Sequence, residues 1–205
     1  MKKVLKLGDA HIISDTCRGR RKLFRVVGVG GTFDELHKGH KDLLKKALES
    51  GETVLVGLTT DDLVKSLRKN HEVAPYEVRF RNLIRFFKYL GVAERVKIVP
   101  LNDPYGPAIS SPEIEAIVVS KETEARAKEI NILRKKRGLG PLKIIVIDMV
   151  LAEDQVPISV TRIRRGEINH EGQLIRKKHL KEKKLFHYLL GDPSEKDWFS
   201  RATPT

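Results

Sequence analysis

Two histidines three residues apart stand within a glycine-rich stretch, and side chains of this kind can bind metal ions or phosphate. The stretch, GGTFDELHKGH, covers residues 30–40 and contains His37 and His40. A third possibility is a tight turn in which the two histidines have no chemical role. A structural zinc site normally takes about four protein ligands, and only Asp34 and Glu35 are close enough in sequence to complete one. These residues therefore disfavour a metal site.

Phosphate binding agrees better with the same stretch. Gly30 and Gly31 would let an anion approach the backbone closely, and Thr32 adds a hydroxyl group. Gly39 and His40 are predicted to lie at the start of a helix, whose N–H groups and positive end attract phosphate. A turn explains any one of these residues alone, but their combination favours an anion site.

The hydrophobic pattern predicts the elements that would position this stretch. Continuous apolar strands are predicted at residues 24–30, 53–59, 95–101, 114–120 and 142–150. Helices are predicted at 41–50, 76–91 and 161–166, and also after Thr59 and after Ser120, which would act as caps. This alternation indicates an α/β domain, a doubly wound parallel sheet of about five strands with helices on both faces. Ligands of such sheets bind at the carboxyl ends of the strands, where residues 30–40 fall.

The sequence also resembles a known family. GGTFDELHKGH resembles the G-T-F-D-x-x-H-x-G-H signature of the nucleotidyltransferase superfamily, and PISVTRIRRGEI at 157–168 resembles its second signature. The chain resembles the archaeal and eukaryotic type of phosphopantetheine adenylyltransferase in three segments, residues 57–79, 116–131 and 146–168. The resemblance covers residues 24–172 and implies a Rossmann-like sheet. One departure is Val160, which stands where the family commonly has a second serine.

The resemblance implies transfer of the adenylyl group of ATP to 4′-phosphopantetheine, which gives 3′-dephospho-coenzyme A and pyrophosphate. It implies that His40 stabilises the transition state and that Thr32 orients the attacking phosphate. Lys69 would bridge the two reacting phosphates, with Lys65 as the alternative, and Thr32 and Lys69 would contact the acceptor. The attacking phosphate monoester is largely ionised at neutral pH, so positioning and charge neutralisation matter more than a general base.

The implied ATP-binding residues are Gly31, Thr32, Phe33, His37, His40, Ser159, Val160, Thr161 and Arg162. Ser159 and Thr161 also flank the start of the short helix, which they could cap. Arg164 could reach the triphosphate, whereas Arg79 is expected to pair with a surface carboxylate. Mg²⁺ is expected to accompany ATP through the phosphate oxygens, and Asp34 is the nearest candidate carboxylate.

Composition leaves other functions open. The formal net charge is +13, an excess that favours anionic partners such as nucleic acid or phosphorylated metabolites. A basic nucleic-acid-binding module is therefore one alternative. Cytidylyl transfer or FMN adenylyl transfer is another, because enzymes of those kinds bear the same first signature on the same fold. The chain lacks a basic strand rich in aromatic residues, so nucleic acid is the less favoured partner.

The chain is expected to contain three segments. They are an N-terminal extension at 1–23, a nucleotidyltransferase domain at 24–172, and a basic C-terminal helix and tail at 173–205. Cys17 is the single cysteine, so an intrachain disulfide is excluded. No secretory signal and no apolar run of about 18 residues is found. A cytoplasmic protein with no membrane partner is expected, and the sequence makes no prediction about its oligomeric state.

Overall fold

The computed structural model describes residues 22–67 and 72–175, which contain a five-stranded parallel sheet. The strands are β1 (Phe24–Gly31), β2 (Gly51–Thr59), β3 (Val96–Leu101), β4 (Ala116–Ser120) and β5 (Lys143–Ile147). Their order is β3-β2-β1-β4-β5, so the winding direction reverses between β1 and β4. The predicted doubly wound α/β fold is confirmed. The predicted C-terminal helix lies almost entirely outside the described residues.

Helices cover both faces of the sheet. Those within the described residues are α1 (Lys38–Ser50), α2 (Asp61–Ser66), α3 (Tyr76–Tyr89), α4 (Glu124–Lys136) and α5 (Val160–Arg164). Helices α1 and α3 pack on one face, and α4 packs on the other. In α1 the buried residues Leu44, Ala47 and Leu48 follow helical spacing, so they form the stripe that meets the sheet.

The two faces of the sheet are filled differently because alternate strand residues point to opposite faces. Towards α1, Val27 and Val29 of β1 pack with Val54 and Val56 of β2 in the larger core cluster. Towards α4, a separate and smaller cluster forms around Ile117 and other buried residues. The face towards α1 is therefore close-packed, and the other face leaves room at its carboxyl end.

The helix caps predicted at Thr59 and Ser120 were wrong. Helix α2 is capped by Thr60, whose hydroxyl accepts a hydrogen bond from the Leu63 N–H at 3.4 Å. Thr59 is still paired within β2, opposite a residue of β3, so its backbone cannot begin a helix. Ser120 makes no side-chain cap, because a 3₁₀ turn at Lys121–Thr123 separates it from α4.

The last strand is shorter than predicted. Strand β5 ends at Ile147 instead of continuing to residue 150. Its hydrogen-bonding partner β4 ends at Ser120, which is paired with Ile147. Residues 148–150 therefore have no neighbouring strand on that side, and they lead into the loop before α5.

Candidate active site

The loop after β1 has an unusual backbone that is held in place by burial. Phe33 and Glu35 adopt left-handed conformations, with φ of 48° and 46°, which are uncommon for residues other than glycine. The Phe33 side chain is fully buried and packs closely beneath Gly31. A Cβ atom on Gly31 would lie 3.1 Å from the Phe33 ring. Gly31 therefore favours this close approach, because a larger residue would push against the Phe33 ring.

The two histidines of the first signature stack on each other at the start of α1. The ring centroids of His37 and His40 are 3.8 Å apart, with 24° between the ring planes. Phe33 meets His40 edge-on at 5.5 Å. Helix α1 begins directly after His37, whose side chain makes no capping hydrogen bond. The stack thus places both imidazoles beside the positive end of the helix, as the spacing in the sequence predicts.

The two imidazoles differ in burial, since His37 is buried and His40 is half-buried. His37 is only 7% exposed, and its buried Nδ1 atom has no hydrogen-bond partner among the described residues. Burial, followed by the charges of His170 and Lys41, lowers the pKa of His37 from 6.5 to about 4. His37 is therefore neutral at physiological pH, and it adds no positive charge beside His40.

The second signature forms the start of α5. The Ser159 hydroxyl accepts a hydrogen bond from the Arg162 N–H at 3.4 Å, so the predicted cap at Ser159 is confirmed. Val160 is the first residue of the helix. The first N–H groups of a helix have no acceptor within the helix itself, and they give this signature donors suited to phosphate.

Arg162 is already engaged by carboxylates of its own region. Its guanidinium pairs with Asp154 and with Glu167, the latter at 3.1 Å from Nε. It also donates to the backbone carbonyl groups of Val156 and Pro157 at 3.3 and 3.4 Å. The predicted contact of Arg162 with ATP stays a prediction, because binding ATP through this side chain would compete with these partners.

The structure joins the two signatures through a buried carboxylate. Both oxygens of Asp34 accept hydrogen bonds from Nη2 of Arg164, at 3.3 and 3.1 Å. Glu35 lies 3.5 Å from the same Arg164 nitrogen and 2.8 Å from Nε2 of His170. The Lys38 N–H donates to the carbonyl of His170 at 2.8 Å. The segments that carry the two signatures therefore meet at the carboxyl edge of the sheet.

The sequence patterns missed the importance of Arg79. Its pairing with a carboxylate is confirmed, since Nη2 lies 2.7 Å from Asp61, but the guanidinium is buried. It also donates to the carbonyl groups of Thr32, Thr59 and Ala74, at 3.0, 2.8 and 2.7 Å. These bonds hold the carboxyl ends of β1 and β2 together. One signal could have revealed this role, because Arg79 lies on the buried stripe of α3, at helical spacing from the residues that face the core.

A pocket opens on the α4 side of the sheet, beside the first signature. Its volume is about 250 Å³, and its lining includes Gly28, Gly30 and Gly57 on the strands. Because these three residues have no side chains, the space between the sheet and α4 remains open. Apolar lining residues include Leu55, Leu63, Leu101, Ile117, Ala127 and Ile130. Thr32 and Thr59 also line it, so the predicted acceptor contact at Thr32 borders an apolar pocket.

Only one of the two predicted lysines lies within the described residues. Lys65 lies on α2 with its side chain exposed, and its ammonium group is 3.4 Å from Asp62. Lys69, the preferred residue, lies outside the described residues. The structure therefore does not choose between the two lysines.

The described residues do not form a protein cage for a metal ion. Within residues 22–67 and 72–175, no group of three or more His, Cys, Asp or Glu side chains could hold one. The nearest candidate, Asp34, is already bound by Arg164. No helix in the described part of the chain is long and apolar enough to cross a membrane.

Comparison with known proteins places this geometry in a family. The family model described as cytidylyltransferase-like matches residues 29–166. A phosphopantetheine adenylyltransferase of Methanothermobacter thermautotrophicus is 45% identical over 157 residues, covering 77% of this chain and 93% of that protein. One from Methanopyrus kandleri is 51% identical over 146 residues, covering 71% of this chain and 92% of that protein.

A solved structure supports the fold independently. A protein of unknown function from Archaeoglobus fulgidus superposes with a TM-score of 0.54 and 32% sequence identity. The alignment covers 60% of this chain and 88% of that protein.

Proposed function

We propose that this chain, which belongs to the cytidylyltransferase-like family and its phosphopantetheine adenylyltransferase branch, joins ATP to 4′-phosphopantetheine. The products are 3′-dephospho-coenzyme A and pyrophosphate. The observation that carries the proposal is that the two signature segments are hydrogen-bonded to each other, and that the first of them borders an apolar pocket. The bonds join Asp34, in the loop before α1, to Arg164, the last residue of α5.

The pocket suits the acceptor of this reaction. The pantetheine arm is a narrow chain of methylene and amide groups, and the lining of the pocket is mainly apolar. With the arm between the sheet and α4, its phosphate would lie near Thr32, at the end of β1. Apolar burial would hold the arm, and the polar groups at the carboxyl edge would orient the phosphate.

Catalysis would rest on position and charge. The acceptor phosphate attacks the α-phosphorus of ATP, an O–P bond forms, and the bond to the departing pyrophosphate breaks. His40 would donate to the oxygens on which charge develops, and the start of α1 would add its positive end. The neutral His37 supports the His40 ring by stacking. Thr32 and a lysine, Lys69 or Lys65, would guide the acceptor phosphate.

ATP would enter as its magnesium complex, with the ion held by phosphate oxygens as part of the substrate. Mg²⁺ keeps several waters and commonly binds through substrate phosphates with few protein ligands. The cytoplasm remains the expected location of the reaction.

Two alternatives are tested by choice of substrate. Cytidylyl transfer would use CTP, and FMN adenylyl transfer would use a flavin acceptor. The names of the relatives favour ATP and phosphopantetheine. The nucleic-acid alternative concerns basic segments such as 174–185, which lie almost entirely outside the described residues.

The experiment is a product assay with a matrix of substrates. The purified chain is incubated with ATP or CTP and with 4′-phosphopantetheine or FMN, and the products are separated by chromatography. We expect dephospho-coenzyme A and pyrophosphate only from ATP with 4′-phosphopantetheine. Failure to form dephospho-coenzyme A would overturn the proposal, and product from CTP or FMN would identify the alternative.

A substitution in the pocket tests where the acceptor binds. A Cβ atom on Gly28 would lie 3.6 Å from Ile114, an ordinary contact, so Gly28→Ala should fold while filling part of the pocket. We expect the KM for 4′-phosphopantetheine to rise about 10-fold or more, with the KM for ATP changed less than about 2-fold. Gly140→Ala is the matched control, because a Cβ atom there meets open space. An unchanged acceptor KM would place the arm elsewhere.

A further inference from the structure

We infer that Asp34 is a positioning residue for the reaction, one that sets the second signature and the segment before α3 against the first signature. The inference rests on the proposed adenylyl transfer. It assigns Asp34 a positioning task at the site and not magnesium binding, for which the sequence made it only the nearest candidate carboxylate.

The first observation is that the Asp34 carboxylate is buried and paired. Only 2% of its side chain is exposed, whereas 31% of the Arg164 side chain is exposed. Burying a carboxylate is unfavourable unless the charge is paired and hydrogen-bonded. Arg164 supplies both, because its Nη2 lies 3.1 Å from Oδ2 and 3.3 Å from Oδ1. The position of the second signature is thereby tied to the loop that runs from Thr32 to the start of α1.

The second observation is that Asp34 also holds the segment before α3. Its Oδ1 accepts a hydrogen bond from the Ala74 N–H at 3.2 Å. The carbonyl of Ala74 accepts from Nε of Arg79 at 2.7 Å. The N–H group and the carbonyl group of Ala74 are therefore both hydrogen-bonded, the first to Asp34 and the second to Arg79. Asp34 thus restrains the backbone at Ala74, directly before Pro75 and the start of α3.

These contacts give Asp34 a central place in the geometry of the site. Arg164 reaches it from α5, the segment before α3 reaches it through Ala74, and Asp34 itself follows Thr32 and Phe33. A shift of this carboxylate would move the segments bonded to it, which are helix α5, the backbone at Ala74 and the loop at Thr32. Small errors in position lower the rate of a reaction that depends on alignment. We therefore expect changes at Asp34 to affect turnover more than binding of the pantetheine arm.

The test compares the wild type with Asp34→Asn, Arg164→Gln and the double variant. We expect each single variant to lower kcat about 10- to 100-fold, since each loses a charge-assisted hydrogen bond. The KM for 4′-phosphopantetheine should stay within about 3-fold of wild type. The double variant should lose no more than the worse single variant, because both residues act through one interaction. Multiplicative losses would overturn the inference.

Magnesium dependence separates this role from metal binding. If Asp34 positions the two segments, the Mg²⁺ concentration for half-maximal rate is the same in all four proteins. If Asp34 held the ion, Asp34→Asn would raise that concentration and Arg164→Gln would not. The matched control is Arg25→Gln, which breaks an arginine–carboxylate pair at the opposite end of β1. The control should retain wild-type kcat.

A readout without turnover keeps the inference separate from the proposed function. Hydrogen exchange of the Ala74 amide, followed by NMR, reports the bond to Asp34 directly. We expect exchange about 10-fold faster or more in Asp34→Asn, and faster exchange also in Arg164→Gln. If the wild type made no dephospho-coenzyme A, the function would fail while this result could still stand. Unchanged exchange in both variants would overturn the positioning role, and Arg164→Gln supplies the test if Asp34→Asn does not fold.

Discussion

Two buried arginines lie at opposite ends of the strands, Arg79 at the carboxyl ends and Arg134 at the amino ends. They make similar hydrogen bonds, but only Arg79 adjoins the site. Arg79 in the first turn of α3 is 1% exposed, and Arg134 in the last turn of α4 is 2% exposed. Each guanidinium donates to three backbone carbonyl groups. For Arg134 these belong to Ala108, Ser111 and Gly140, at 2.7, 2.9 and 2.7 Å.

The difference lies in which segments the two residues connect. Arg79 binds carbonyls at the carboxyl ends of β1 and β2, where Thr32 begins the site. Arg134 binds loops that lead into the amino ends of β4 and β5. Arg79 also pairs with the carboxylate of Asp61. At Arg134, burial lowers the pKa of the guanidinium. Donation to three backbone carbonyl groups thus stabilises only the fold at Arg134, and both the fold and the site at Arg79.

The largest expected effect is at His40, on the carboxyl edge. We expect His40→Ala to lower kcat about 100- to 1,000-fold, the usual loss when one donor to the transition state is removed. Steady-state kinetics with saturating ATP and 4′-phosphopantetheine measures this loss. A decrease below about 5-fold would contradict the assigned role. Circular dichroism would confirm that the variant is folded.

Exchange of each buried arginine for lysine tests the comparison itself. Arg79→Lys and Arg134→Lys each leave carbonyl groups without a donor, so we expect both to lower the free energy of unfolding by about 2–3 kcal/mol. Only Arg79→Lys should also lower kcat, by about 10-fold or more, because it loosens the loop at Thr32. Unfolding by urea and kinetics on the folded fraction separate the two effects. Equal kcat losses would show that both edges support catalysis.

The third prediction concerns pH. The three histidines of the described residues, His37, His40 and His170, all lie at the carboxyl edge. Below pH 6.5 an unfolded chain protonates His37, whereas the folded chain does so only near its lowered pKa of about 4. The contribution of His37 to stability is therefore present above pH 6.5 and is lost as the pH falls. Its slope is about 1.4 kcal/mol per pH unit at most.

Comparison of acid unfolding isolates this contribution. His37→Asn has no titrating group at this position, so its free energy of unfolding should fall less steeply than that of the wild type between pH 6.5 and 4. Urea unfolding at several pH values measures both slopes. Identical slopes would mean that His37 is protonated as easily in the folded chain as in the unfolded one.

The smallest effect is expected at the amino edge, from the exposed pair of Arg25 and Glu115. The Arg25 side chain is 78% exposed, although its Nε lies 2.9 Å from the carboxylate. Exposed pairs contribute little, so Arg25→Gln should leave the free energy of unfolding nearly unchanged. Thermal unfolding at low and high salt measures the difference. A larger loss would show that the amino edge is more sensitive than its exposure indicates.

The sequence predicted the sheet and the place of the site because both depend on local patterns. Continuous apolar strands specified the parallel sheet, and the first signature marked the end of β1. The cap at Ser159 was also readable, since it lies within one turn of its helix. Caps at Thr59 and Ser120 were predicted wrongly, because the ends of strands depend on the neighbouring strand.

The sequence by itself determined which residue types meet at the carboxyl edge, and the tertiary structure decided how they are held there. No local pattern could pair Asp34 with Arg164, because the two residues are 130 positions apart. None could show that Arg79 binds three carbonyls from separate segments, or that glycines on two strands open one pocket. Burial makes such polar groups depend on one another, and burial arises only when the whole sheet and its helices are assembled.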